Sequence, residues 1–304
     1  MPQSRWRTRL LKIGDATAGV LMSGLLRLLR FPNYKRMAEV CSWITRKIGP
    51  RLREHGIAKA QLQAAFPDKS QAEIERILDG VWDNLGRFAA EFSQIDRIVT
   101  PDWGEPPGDV DYTKETFDRF HDLRRDGKPA LIFAAHLANW ELSAQVAKQY
   151  GLDTIVLYRR PNIGAVADAV TDIRAGSMGE LMATGLDAPV KLARELEAGR
   201  HVAMLVDQYY TRGVDVTFFG RQTKANPLLA RLARQVEAPI HGVRIIRRPG
   251  YKFTVELTPE VPPVRDADGK IDVAGTTQAV MSVVEGWVRE HPEQWLWLHR
   301  RWRD

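Results

Sequence analysis

The chain has 304 residues, a formal charge of +6, and ordinary globular shares of hydrophobic (44%) and charged (27%) residues. That length carries one large α/β domain or two small ones, and the balance excludes a disordered chain. Cys41 is the only cysteine, which excludes an intrachain disulfide and a thiolate metal site. The surplus of positive charge points to an anionic partner: nucleic acid, phospholipid headgroups or a phosphorylated substrate.

The N-terminus is basic, with Arg5, Arg7, Arg9 and Lys12, and turns apolar from Ala16 to Leu29. A spanning helix needs about 20 apolar residues, and Asp15 and Arg27 bound a run that falls short. A cleaved signal peptide lacks its small-residue cleavage site. The remaining readings are a plain core helix and an interfacial helix over residues 1–30. The stripe of Leu10, Ile13, Val20, Leu21, Leu25, Leu28 and Leu29, with Trp6 and the arginines at a headgroup boundary, favours the interfacial one. The rest, 31–304, reads as a single α/β domain whose first part, 31–108, is helical.

Helical patterns cover residues 34–49 and 58–66. Ser70-Gln-Ala-Glu73 is a capping box opening a long amphipathic helix to about Phe92. A turn-rich connector, residues 101–108, leads to a helix over 113–125 that stops at Asp126-Gly127. The short apolar run 131–135 is a buried strand ending at His136. Thereafter the chain alternates: strand 154–157, helices 164–174 and 189–197, strand 201–206, helix 227–237, a hairpin of 240–246 with 252–257, and a helix over 276–289. Alternating strands and helices argue a mostly parallel sheet covered by helices on both faces.

His136 and Glu141 are five residues apart, a step that places them about 140° apart on one regular helix. A working pair therefore needs His136 at the strand end and Glu141 in the following helix, with Asn139 as N-cap and Leu142, Val146 and Tyr150 continuing the apolar pattern. Glu141 then holds the imidazole tautomer, leaving the other ring nitrogen to act as a base. The competing reading is a structural histidine beside a carboxylate that satisfies a helix dipole.

Sites in such sheets lie outside the carboxyl ends of the strands, and three strand ends carry polar residues: His136, Tyr158-Arg-Arg-Pro-Asn162 and Asp207-Gln-Tyr-Tyr210. Arg159, Arg160 and Arg174 suit a phosphate or a developing oxyanion, or are solvated surface arginines. Gly213 to Gly220 reads as a loop whose Phe218 and Phe219 are either core or in touch with lipid. His121, His201, His241, His291 and His299 are scattered and read as structural or exposed. No Walker loop, dinucleotide glycine fingerprint, zinc pattern or Gly-x-Ser-x-Gly elbow occurs. A histidine base without a serine or cysteine nucleophile suggests direct transfer to an acceptor hydroxyl.

His136-Leu-Ala-Asn-Trp-Glu141 resembles the His-x4-Asp/Glu motif of the glycerolipid acyltransferase superfamily, in the form typical of the bacterial lipid A late acyltransferases, the lauroyl and myristoyl transferase family. Tyr158-Arg-Arg-Pro-Asn162, Arg174, Asp207-Gln208, Gly213-Val214 with Phe218-Phe-Gly220, and Gln294-Trp-Leu-Trp-Leu-His-Arg-Arg301 resemble that family's other signatures in order. The resemblance covers nearly the whole chain; Thr223-Lys-Ala-Asn-Pro227 departs from it.

The resemblance implies a glycerolipid-acyltransferase-like fold and an enzyme at the cytoplasmic face of a Gram-negative inner membrane. It would move an acyl group from an acyl carrier protein thioester to a hydroxyl of a lipid A precursor. His136 is then the base and Glu141 its orienting partner, with Arg159, Arg174, Asp207, Gln208 and Asn139 as the substrate-binding set. No cofactor, metal or nucleic acid is expected; the expected partners are acyl carrier protein, the lipid A precursor and anionic inner-membrane lipids. The alternatives are an acyltransferase acting on another lipid, and a non-catalytic basic membrane-binding protein.

Overall fold

The computed structural model describes residues 24, 30–98, 100–101, 108–160 and 164–303. The expected interfacial helix thus lies, apart from Gly24 and Arg30, outside the described residues, as do residues 102–107 of the connector and 161–163. Asn33 caps the first described helix, α1 (Tyr34–Ile48), its side chain accepting the Lys35 N–H at 2.8 Å. After α2 (Arg53–Ala65), Ser70 and Glu73 form the expected capping box and open α3 (Gln71–Ser93). The buried stripe of α3, Ile74, Leu78, Val81 and Trp82, has the spacing of one helical face. Helix α1 lies close against α3 because Gly86 has no side chain. A Cβ there would run into Thr45 and the backbone of Cys41 and Ser42.

The α/β part follows as β1 (Val110–Tyr112), α4 (Lys114–Arg125), β2 (Leu131–Ala134), α5 (Glu141–Gln149), β3 (Thr154–Tyr158), α6 (Gly164–Ser177) and β4 (Glu180–Ala183). Then come α7 (Ala188–Glu197), β5 (His201–Leu205), β6 (Val214–Phe218), β7 (Arg221–Ala225), α8 (Leu228–Val236), β8 (Ile240–Arg248), β9 (Lys252–Glu260) and α9 (Val273–Glu290). Seven strands make one sheet in the order β1-β9-β8-β2-β5-β3-β4. Strands β8, β2, β5, β3 and β4 are mutually parallel, β9 returns antiparallel to β8, and β1 runs parallel to β9. The class is the expected one, with the short strands β1 and β4 added at its edges.

The central strand β2 is buried at every position, as a strand covered on both faces must be. Its alternate residues feed two cores. Leu131 and Phe133 pack with α3, α7, α8 and α9, while Ile132 and Ala134 face α4 and α5.

The stretch from Gly213 to Gly220 is not a loop. It contains β6, which pairs antiparallel with β7. Phe219 (φ 54°) and Gly220 (φ 69°) form the left-handed pair of a two-residue hairpin turn. Phe218 and Phe219 are both buried, which selects the core reading over contact with lipid. Among the described residues no helix is long and apolar enough to cross a membrane.

Candidate active site

Strand register brings the central pair together. In the β2–β5 ladder Ala134 lies opposite Leu205. Two residues beyond each of them stand His136 and Asp207, and a period of two sends both side chains to the same side. The His136 Nδ1 and Asp207 Oδ1 are 2.7 Å apart. The other carboxylate oxygen accepts the His136 backbone N–H at 2.9 Å and the Trp295 indole N–H at 2.7 Å. Burial, at 2% exposure, pushes the Asp207 carboxyl up; the facing imidazole and these hydrogen bonds outweigh it and hold the carboxyl at about 2. An ionised carboxylate only accepts, so in the neutral imidazole Nδ1 carries the proton and Nε2 the lone pair. That nitrogen faces the Gln208 side-chain amide, 3.4 Å away.

Glu141 does not orient His136. Helix α5 begins at Glu141 with Trp140 at the N-cap position, so the carboxylate leaves the first turn toward α6, where it takes a two-point ion pair with Arg174. Arg174 Nε donates to Oε2 at 3.0 Å, Arg174 Nη2 donates to Oε1, and the Trp140 indole N–H also donates to Oε1, at 3.0 Å. The Arg174 guanidinium is further held over the rings of Phe92 and Tyr158, 5.8 Å from each centroid. Asn139 is neither the cap nor part of the cavity lining. It is fully buried, and its amide donates to Glu91 at 3.2 Å.

A network that sequence reasoning missed fixes the turn after β2. Arg247 pairs with Glu91 by both guanidinium ends and donates from Nε to Asn84 at 2.9 Å. Asn84 in turn donates to the Gln294 carbonyl at 3.1 Å, which also accepts the Ala138 N–H at 2.9 Å. Ala138 has φ 48°, a left-handed conformation costing about 1 kcal/mol or more for a residue with a Cβ. The C-terminal segment completes the clamp: the Leu296 N–H donates to the His136 carbonyl at 3.1 Å, and Trp295 reaches Asp207. Trp140 stands edge-on to the His136 ring, 4.9 Å between centroids, and stacks on Phe88 at 4.0 Å. Of these groups Trp140, Gln294, Trp295 and Leu296 lie in stretches that stand out in the sequence; Phe88, Asn84, Glu91 and Arg247 do not.

His136 opens onto a cavity of about 630 Å³. Polar residues cluster where the strands end: Arg159, Arg160, Arg174, Gln208, Tyr209 and Tyr210. Further along, the lining becomes apolar, between Ile132, Ala134, Val156 and Ala203 of the sheet and Ala144 and Ala147 of α5. The alanines make the room, since larger side chains at these facing positions would fill it. Phe120 borders this cavity and also a second one of about 170 Å³, lined by Tyr112, Phe117, Val146 and Tyr150.

Of the expected site residues, His136, Glu141, Arg159, Arg174 and Gln208 thus line one cavity, and Asp207 stands directly behind the histidine. Arg160 is exposed and pairs with Asp168 at 2.7 Å. His201 and His299 are held in the neutral form by burial, which pushes both imidazoles down.

Comparison with known proteins gives the family. The model of the bacterial lipid A biosynthesis acyltransferase family matches residues 1–304, the whole chain, and the chain belongs to that family. It is therefore an acyltransferase of lipid A biosynthesis. A search among curated proteins finds no significant match.

Proposed function

We propose that the chain transfers a fatty acyl group from an acyl carrier protein thioester directly to a hydroxyl of a lipid A precursor, with His136 as the base. The observation that carries this reading is a single ring nitrogen, His136 Nε2, left basic by the Asp207 contact at Nδ1 and opening on a cavity with an apolar interior and a cationic mouth.

In the proposed reaction Nε2 takes the acceptor's hydroxyl proton as the oxygen attacks the thioester carbonyl. Asp207 stabilises the imidazolium so formed. The tetrahedral intermediate collapses with cleavage of the carbon–sulfur bond, and the imidazolium returns the proton to the departing thiolate. The products are the new ester and the free carrier thiol. The Gln208 amide, 3.4 Å from Nε2, is a donor within reach of the oxyanion. Arg174 and Arg159 at the mouth favour the acceptor's phosphates, and the apolar interior favours the acyl chain. Glu141 acts through Arg174 as a positioning residue. The charge of +6 suits an acidic carrier protein and an anionic cytoplasmic membrane surface.

The test is the purified protein with acyl carrier protein thioester and a lipid A precursor, read by mass spectrometry of the lipid. The expected product is the precursor plus one acyl chain, absent with His136→Ala. Absence of transfer from the carrier thioester by the folded wild type would overturn the donor assignment, and full transfer by His136→Ala the base.

A further inference from the structure

One face of α1 is exposed among the described residues. Val40, Trp43, Ile44 and Ile48 are exposed, and Phe31 before the helix (88%) and Leu52 after it (45%) extend the row. Six of the eleven large apolar side chains exposed among the described residues lie in this one stretch of sequence, so they are concentrated rather than scattered over the chain. The opposite face, with Tyr34, Ala38 and Ser42, is buried in the fold.

Charge says what the face fits. At 100° per residue Arg36 and Lys47 fall among Val40, Trp43 and Ile44, and both are exposed. The only acid of α1, Glu39, is engaged by Arg87 at 2.7 Å and by the Tyr251 hydroxyl at 2.9 Å. Asp79, across the groove beside Trp43, is paired with Arg46 at 2.6 Å. Among the described residues neither Arg36 nor Lys47 has an acidic partner, so the face presents apolar side chains, a tryptophan among them, beside cations, which is the pattern of a helix lying in a headgroup boundary.

Residues 1–29 carry Arg5, Arg7, Arg9, Lys12 and Arg27 against the single acid Asp15, a charge that does not complement Arg36 and Lys47. A second copy meeting it face to face has the same fault.

We propose that the α1 face from Phe31 to Leu52 docks on an anionic lipid bilayer, as a membrane contact additional to residues 1–30. It deepens the membrane part of the reading above and is independent of the acyl-transfer chemistry.

The experiment uses the full chain with Cys41→Ser and Val40→Cys, labelled at that thiol with an environment-sensitive nitrobenzoxadiazole dye. Vesicles containing phosphatidylglycerol should shift the emission to the blue, phosphatidylcholine vesicles less so, and high salt should weaken the effect. In unlabelled protein, Trp43→Glu with Ile44→Glu should lower partitioning to the anionic vesicles by about tenfold or more. Transfer to an acceptor presented in detergent micelles should be retained. Emission already blue without vesicles would show the face covered by the chain's own first segment, and emission that shifts with protein concentration alone a second copy. Either outcome overturns the proposal, as does unchanged partitioning of the double variant. Loss of acyl transfer with intact vesicle binding would instead strike the proposed chemistry and leave the docking face standing.

Discussion

Replacing Asp207 by asparagine isolates the contact on which the proposed base depends. The carboxylate oxygen Oδ2 accepts two N–H groups, from the His136 backbone and Trp295, while Oδ1 faces His136 Nδ1. In Asp207→Asn the amide oxygen must stay with the two N–H donors, because the NH2 group cannot accept them. The NH2 then donates to Nδ1, the ring flips to its other tautomer, and Nε2 carries the proton. A base locked in the wrong tautomer costs about 10⁴ in rate. The fold should survive. Holding a carboxyl at about 2 instead of near 4 is worth only ~2 kcal/mol in a buried site. The assay is the initial rate of transfer from acyl carrier protein thioester, beside a thermal melt and a nitrogen-15 spectrum that reports the imidazole tautomer. A folded variant with the rate within about tenfold of wild type would refute the reasoning.

Glu141→Gln should behave differently: it leaves Arg174 without its anion and should destabilise the protein by about 2 kcal/mol in chemical denaturation, with the His136 tautomer unchanged. A tautomer switch in that variant would restore Glu141 as the orienting group. Asp207 also sets an acid limit. Its folded pKa is depressed, so its contribution is whole above a pH of about 4 and is lost as pH falls through about 2. The stability difference between wild type and Asp207→Asn should therefore shrink over that window, and a pH-independent difference would contradict it. Phe120→Ala removes the side chain between the two cavities and should shift product esters to longer acyl chains when mixed donors compete, whereas Ala203→Leu should shift them shorter. Mass spectrometry of the product lipids reads both, and an unchanged chain-length profile would show that the acyl chain lies elsewhere.

Periodicity made most elements legible, and the strand-to-helix corner at His136 was right in place and wrong in partner. Spacing sees only local candidates, and Glu141 was the nearest carboxylate. The true partner lies 71 residues on, brought alongside because β5 inserts between β2 and β3 in the sheet. Each of those strands ends in a polar residue at the same offset, but a sequence without the strand order cannot say that they are neighbours. The Glu91–Arg247 pair that steadies the His136 turn is invisible for the same reason, joining α3 to β8. The β6–β7 hairpin was missed locally: its turn places Phe219, not asparagine or aspartate, in the left-handed conformation before Gly220. Burial of the Phe219 ring against Phe66 and Trp297 holds it there.

The central claim is that His136 activates the acceptor hydroxyl without an acyl-enzyme. A single-turnover rapid-quench experiment with labelled acyl carrier protein thioester and lipid A precursor tests it most directly. The account predicts label passing from carrier to lipid with none held on the protein, and no passage with His136→Ala. Label appearing first on the protein, or transfer by His136→Ala at the wild-type rate, would contradict it.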